Sequence, residues 1–163
     1  MDSIAVLMTC HNRRELTLAC LANLFQSAAY ASVRIGVFLV DDASSDGTGE
    51  AVRTAYPNVN VIKGSGDLFW GGGMRKAYTH AISKNGFSAH LWLNDDTTLF
   101  PGALSDLIRS AEYHVRKGQC RPIVVGNVVD PVTKTMMYGG YWRPKYPFRR
   151  PGIILPKSSP VPC

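Results

Sequence analysis

Four short apolar segments, residues 4–8, 33–40, 59–62 and 90–93, alternate with stretches whose apolar residues recur every three to four positions. No other feature constrains the fold as much. A segment apolar at successive positions is a strand covered on both faces, the condition of a parallel sheet. The stretches between supply the covers. Leu16, Cys20, Leu21, Leu24 and Phe25 make one helical face that closes near Ala29. A short helix over residues 49–55 is stopped by Pro57. Residues 74–83 predict a third helix that packs through Ala77, Ala81 and Ile82 and ends at Asn85-Gly86. Pro101 suits the first turn of a fourth, which ends at Gly118. The expected class is α/β: a Rossmann-like, mostly parallel sheet with helices on both faces. Residues 122–129 and 136–142 predict a fifth and a sixth strand, and residues 143–163 an irregular basic and proline-rich tail.

With 163 residues the chain fits one domain, which buries roughly two thirds of the surface its unfolded form exposes. Lys and Arg number 18 against 12 Asp and Glu. The excess gathers late, in Arg143, Lys145, Arg149, Arg150 and Lys157, rather than along a helix face, so nucleic acid is not an expected partner. A solvated loop is the plainer account of these residues; attraction to an anionic membrane surface is the alternative. The four cysteines, Cys10, Cys20, Cys120 and Cys163, have no CxxC spacing, which argues against a zinc site or a disulfide framework and fits a reducing cytosol. The start of the chain lacks a signal-peptide pattern, and no stretch approaches the roughly 20 apolar residues that span a bilayer. The expected location is the cytoplasm, with the inner face of a membrane as a place of work.

In sheets of this kind ligands bind at the carboxyl ends of the strands. Here those ends read Thr9-Cys10-His11-Asn12, Asp41-Asp42, the glycine-rich residues 64–73, and Asn94-Asp95-Asp96. Adjacent carboxylates repel unless a cation or several donors lie beside them. Mg²⁺ or Mn²⁺, held by Asp95 and Asp96 and completed by substrate phosphates, meets that need. The plainer alternative, an Asn-Asp-Asp turn before the Pro101 helix, loses ground to the second acidic strand end. Asp41 or Asp42 could accept a bond from a pyrimidine imide or a ribose hydroxyl, and Asp46-Gly47 reads as turn and helix-cap chemistry. Thr9, His11 and Asn12 could touch base or ribose, although for His11 a loop histidine without catalytic duty is preferred. The glycine run, with Gly72 inside it, permits close backbone approach to a ligand where a helix begins. Arg75, expected in that helix's first turn, could reach a diphosphate. The run is neither a Walker loop nor a dinucleotide fingerprint.

Taken together, Val6-Leu7-Met8-Thr9-Cys10-His11-Asn12-Arg13, Val40-Asp41-Asp42-Ala43-Ser44-Ser45-Asp46-Gly47-Thr48, Gly71-Gly72-Gly73 and Leu93-Asn94-Asp95-Asp96-Thr97 resemble the family 2 glycosyltransferases of the GT-A fold. The glycine stretch is similar to a variant in rhamnosyl- and galactofuranosyl-transferase-like members, from which Asp67 and Phe69-Trp70 depart. The resemblance implies transfer of a sugar from a nucleoside-diphosphate sugar to an acceptor hydroxyl, on a glycan or a lipid-linked molecule, with inversion, in glycan or cell-surface polysaccharide biosynthesis. It also implies that Thr9 and Asp42 contact the base, that Asp41 supports their loop, and that Asp95 and Asp96 form the DxD-like site for ribose and metal, with Asp96 on the metal.

Inversion requires a carboxylate base for the acceptor. None is visible: Asp130, the one acid after Glu112, lies in an Asp130-Pro131 turn read as structural. Residues 1–142 are therefore expected to be the donor-binding domain, with the base in a further segment or another polypeptide. Apolar surface left by an absent half would favour self-association. A non-catalytic nucleotide-sugar-binding module is the alternative function. A sugar-1-phosphate nucleotidyltransferase is disfavoured, because its glycine-rich loop should follow the first strand, where Cys10-His11-Asn12-Arg13 stands.

Overall fold

The structure, a computed structural model, describes residues 1–119, 121–130, 132–138, 141–142 and 152–153. Cys120, Cys163 and the late basic cluster lie outside the described residues. The chain divides into two compact units, Met1–Ser105 and Asp106–Cys163.

The first unit is built on four parallel strands, β1 (Ser3–Cys10), β2 (Arg34–Asp41), β3 (Asn60–Lys63) and β4 (Ala89–Trp92), in the order β3-β2-β1-β4. Helices α1 (Arg14–Tyr30), α2 (Thr48–Ala55) and α3 (Phe69–Lys84) make the crossovers. From β1 through β2 to β3 the chain moves one way across the sheet; from β3 to β4 it returns past β1. Right-handed crossovers put α1 and α2, which pack together, on one face and α3 on the other. The reversal falls between β1 and β4.

Burial follows this layering. Ala5, Leu7, Phe38 and Val40 meet Met74, Ala77 and Ala81 of α3 in one cluster. The alternate side chains Ile4, Val6, Met8, Val37 and Leu39 are as deeply buried, as are Leu21 and Leu24 of α1 and Val52 of α2. Each such Val, Leu or Phe contributes roughly 1.5–3 kcal/mol. The expected sheet and its two helical covers are therefore present.

Four expectations need correction. Helix α3 begins at Phe69, not residue 74, so Gly71, Gly72 and Gly73 lie inside it and Arg75 is on its second turn. The cause is a long-range cap described below. Helix α4 spans Ala103–Arg116, and Pro101-Gly102 forms a turn ahead of it, with Gly102 at φ 81°. The fifth strand is not part of the sheet: only Val128–Val129 (β5) is extended, paired antiparallel with Met136–Tyr138 (β6). Ile123 and Val125 are exposed, so the apolar run lacks the cover a central strand needs. The predicted sixth strand is split, its second piece Tyr141–Trp142 (β7) pairing with Gly152–Ile153 (β8) inside the stretch expected to be irregular.

Candidate functional site

Strand order brings the polar ends together. Cys10 is level with Asp41 and Asp41 with Lys63, while Trp92 is level with Leu7. The main chain leaves β4 beside β1, with Leu93 N donating to Leu7 O at 3.0 Å. Asp95 and Asp96 thus emerge next to the loop after β1, at the point where the strand order reverses, the usual ligand crevice of such sheets.

The loops after β1 and β2 are sewn to each other. His11 Nδ1 lies 2.6 Å from Asp42 O, Asn12 N donates to Ser44 Oγ at 3.0 Å, and Asn12 Oδ1 accepts from Ser45 N at 2.7 Å. Asn12 holds φ 52°, a left-handed value that asparagine tolerates. Asp46 binds this junction to two helices. Its Oδ2 accepts from Arg14 N at 3.0 Å and its Oδ1 from Thr48 N at 3.0 Å, so one carboxylate caps both α1 and α2. The Thr48 hydroxyl bond, more than any other contact, lowers the Asp46 carboxyl below the usual carboxylate range. Asp41 Oδ1 accepts from Ser44 N at 3.0 Å, within the same loop.

Asp42 is buried, and its carboxylate is spent on the β3–α3 loop. Oδ1 accepts from Gly66 N at 2.7 Å; Oδ2 accepts from Leu68 N at 2.9 Å and Phe69 N at 3.2 Å. This is the cap that starts α3 early. It also holds Phe69 at φ 52°, in a region costly to a bulky side chain, with the ring 81% exposed. Gly64 is required, since a Cβ there would stand 2.7 Å from Asp42 Cα. Of the later glycines it is Gly73, rather than Gly72, that enables close approach: its Cβ would lie 2.7 Å from Thr9 Cβ. Thr9 is thereby covered by α3. Trp70 Nε1 donates to Asn94 Oδ1 at 2.9 Å, tying the start of α3 to the end of β4. Arg75 is exposed, and its guanidinium has no ion-pair partner among the described residues.

At the centre, Arg13 Nη1 lies 2.8 Å from Asp96 Oδ2 and 3.4 Å from Asp95 Oδ1. Asp95 is buried and also accepts from Thr17 Oγ1 at 3.4 Å; Asp96 is half-exposed. Burial raises the Asp95 carboxyl above its ordinary value; the Arg13 guanidinium opposes this and the Asp96 charge adds to it. Two carboxylate oxygens that share one cationic nitrogen converge on one point. That donor set fits a hard divalent cation whose remaining ligands are phosphate and water. Among the described residues no group of three or more His, Cys, Asp or Glu side chains could hold a metal ion, and at this point two carboxylates converge. Cys10 and Cys20, adjacent but buried, have thiols pushed up to about 12 and about 11, chiefly by burial, which disfavours the reactive thiolate.

The structure therefore gathers Thr9, His11, Asn12, Asp41, Asp42, Asp95 and Asp96 at one end of the sheet, with Gly72 and Arg75 on the overlying helix. The pattern reading missed Arg13 and Thr17. Both lie in stretches whose spacing pointed only to a turn and a helix, and strand order was needed to set them against Asp95. In the second unit Asp130 Oδ1 accepts from Val132 N at 2.9 Å, Thr133 N at 2.7 Å and Thr133 Oγ1 at 3.0 Å, the turn role expected of it.

Comparison with known proteins bears on this arrangement. The family model described as glycosyl transferase family 2 matches residues 5–163. Among curated proteins, an N-acetylglucosaminyl-diphospho-decaprenol L-rhamnosyltransferase from two strains of Mycobacterium tuberculosis is 26% identical over 97 residues, covering 55% of this chain and 32% of the relative. The chain thus spans about a third of the length of the curated relatives it matches. Among solved structures, a mannosyltransferase from Pyrobaculum calidifontis in complex with GDP-mannose and Mn²⁺ superposes with a TM-score of 0.58 at 19% identity, over 78% of this chain and 36% of that one. The shared architecture is the GT-A fold expected from the strand ends.

Proposed function

Since the chain belongs to glycosyl transferase family 2, we propose that residues 1–142 bind a nucleoside-diphosphate sugar at the reversal point between β1 and β4, for transfer of its glycosyl group to an acceptor hydroxyl. The observation that carries this reading is the convergence of Asp95 and Asp96 on a single cationic nitrogen, at the end of the sheet where such folds take their ligands.

Asp96, half-exposed and bound through its side chain only to Arg13 among the described residues, is the carboxylate free to hold Mg²⁺ or Mn²⁺; Asp95, fixed by Thr17, lies beside it on the ribose side. A divalent ion here would neutralise charge on the departing diphosphate. The Mn²⁺ and GDP-mannose bound by the Pyrobaculum calidifontis enzyme support a donor and metal of this class. Thr9, His11, Asn12 and the loop after Asp41 form the base and ribose end. Because its carboxylate holds three backbone N–H groups, Asp42 acts chiefly by shaping the β3–α3 loop, which the base would meet. Gly72 lies in the helix that covers the donor, and Arg75 presents a guanidinium that has no ion-pair partner among the described residues and is suited to a diphosphate.

The acceptor is a glycan or lipid-linked hydroxyl, the outcome is inversion, and the setting is glycan biosynthesis in the cytoplasm or at the inner membrane face. Among the described residues no helix is long and apolar enough to cross a membrane. No described carboxylate is offered as acceptor base, since Asp130 is committed to its own turn. The test is a panel of nucleoside-diphosphate sugars incubated with Mn²⁺, wild-type chain and simple acceptors, followed by mass spectrometry. Metal-dependent release of nucleoside diphosphate with a glycosylated product supports transfer. Donor binding without turnover leaves a nucleotide-sugar-binding module, and absence of donor binding defeats the reading.

A further inference from the structure

The cation already present between Asp95 and Asp96 has a consequence for the metal. The side chain of Arg13 is half-exposed, while the main chain around it is fixed: Arg13 O accepts from Thr17 N at 2.9 Å, and its neighbours Asn12 and Arg14 are bound to Ser44 and Asp46. Only the side chain is free to leave. Asp95 would keep its place if it did, because Thr17 Oγ1 holds the other carboxylate oxygen. Asp96 would lose its one side-chain partner among the described residues.

A guanidinium and a divalent ion cannot share that point, since like charges at contact distance repel strongly unless water screens them. We propose that Arg13 is a specificity-determining residue that occupies the cation position on Asp95 and Asp96, so that Mg²⁺ or Mn²⁺ binds well only when a diphosphate arrives to receive the displaced guanidinium. The proposal rests on the reading of Asp95 and Asp96 as metal carboxylates. A guanidinium pairs with phosphate oxygens through the same planar fork it presents to carboxylates, so the exchange preserves its hydrogen bonds. Metal and nucleotide then bind with positive coupling, and by linkage each raises the affinity of the other by the same factor.

The experiment is titration of Mn²⁺, with the free ion followed by electron paramagnetic resonance, in wild type, Arg13→Gln and Asp96→Asn, alone and with UDP or GDP. The proposal predicts that Arg13→Gln binds Mn²⁺ alone about five- to ten-fold more tightly than wild type, the scale of removing one partly screened charge. It also predicts that the coupling to nucleotide seen in wild type shrinks by the same factor, leaving only the part that direct metal–diphosphate coordination supplies. Equal affinity of Arg13→Gln and wild type for Mn²⁺ alone, with weaker binding by Asp96→Asn, overturns the role of Arg13 and leaves the metal site standing. Absence of Mn²⁺ binding in every variant, with and without nucleotide, overturns the metal site and this inference together. A readout in wild type does not depend on a variant folding: the Arg13 Nε–H resonance should move when Mg²⁺ and UDP or GDP are added together, and an unmoved resonance under saturating metal contradicts displacement.

Discussion

Gly73 lies against Thr9 so closely that a Cβ on the glycine would stand 2.7 Å from that of the threonine. Helix α3 can therefore cross the end of β1 only with hydrogen at this position, and the crossing sets the helix over the strand end that carries Thr9, Cys10 and His11. Gly73→Ala should destabilise the chain by about 1–3 kcal/mol, the range of overpacked cores. Thr9→Ala in the same chain should recover part of the loss, because the two groups compete for one space. Denaturant unfolding of the two single variants and the double variant measures this. Strict additivity would mean that the close approach does not set the helix position.

Asp42 is expected to behave as a structural cap. Replacing it with Ala removes a buried carboxylate from Gly66 N, Leu68 N and Phe69 N, a loss on the order of 3 kcal/mol for charged hydrogen bonds. Hydrogen exchange should quicken most at Leu68 and Phe69, where α3 begins. Unchanged exchange there would show that the helix starts early for another reason.

The sequence made the sheet legible because its strands are apolar on both faces and end in polar clusters, a pattern that survives without knowledge of partners. The start of α3 was not legible. It depends on a carboxylate 24 to 27 residues away, and local propensity placed the start after the glycines. Residues 122–129 misled for the opposite reason: their apolar run is strand-like, but Ile123 and Val125 find no cover, and only Val128–Val129 pairs. At the site, Asp95 and Asp96 stood out by composition. Arg13 did not, because a lone arginine in a loop gives no sign of what faces it.

Asp46 gives the account a pH dependence. Its folded value lies below the ordinary 3.8, so its stabilisation is fully present above that value and is lost as pH falls through the lower folded value. Thermal unfolding of Asp46→Ala should fall short of wild type at about pH 7, and the gap should narrow as pH falls below the ordinary carboxylate value and wild type loses the charge. A gap that stays constant over that range would mean that the carboxylate charge does not cap α1 and α2.

The central claim is that Asp95 and Asp96 form a metal-dependent site for the donor diphosphate. Calorimetric titration of UDP- and GDP-sugars into wild type and Asp96→Ala, with and without Mn²⁺, tests it most directly. The account predicts that wild type binds a nucleotide sugar with Mn²⁺ and at least about ten-fold more weakly without it, and that Asp96→Ala abolishes the difference. Metal-independent binding of equal strength in both chains would contradict it.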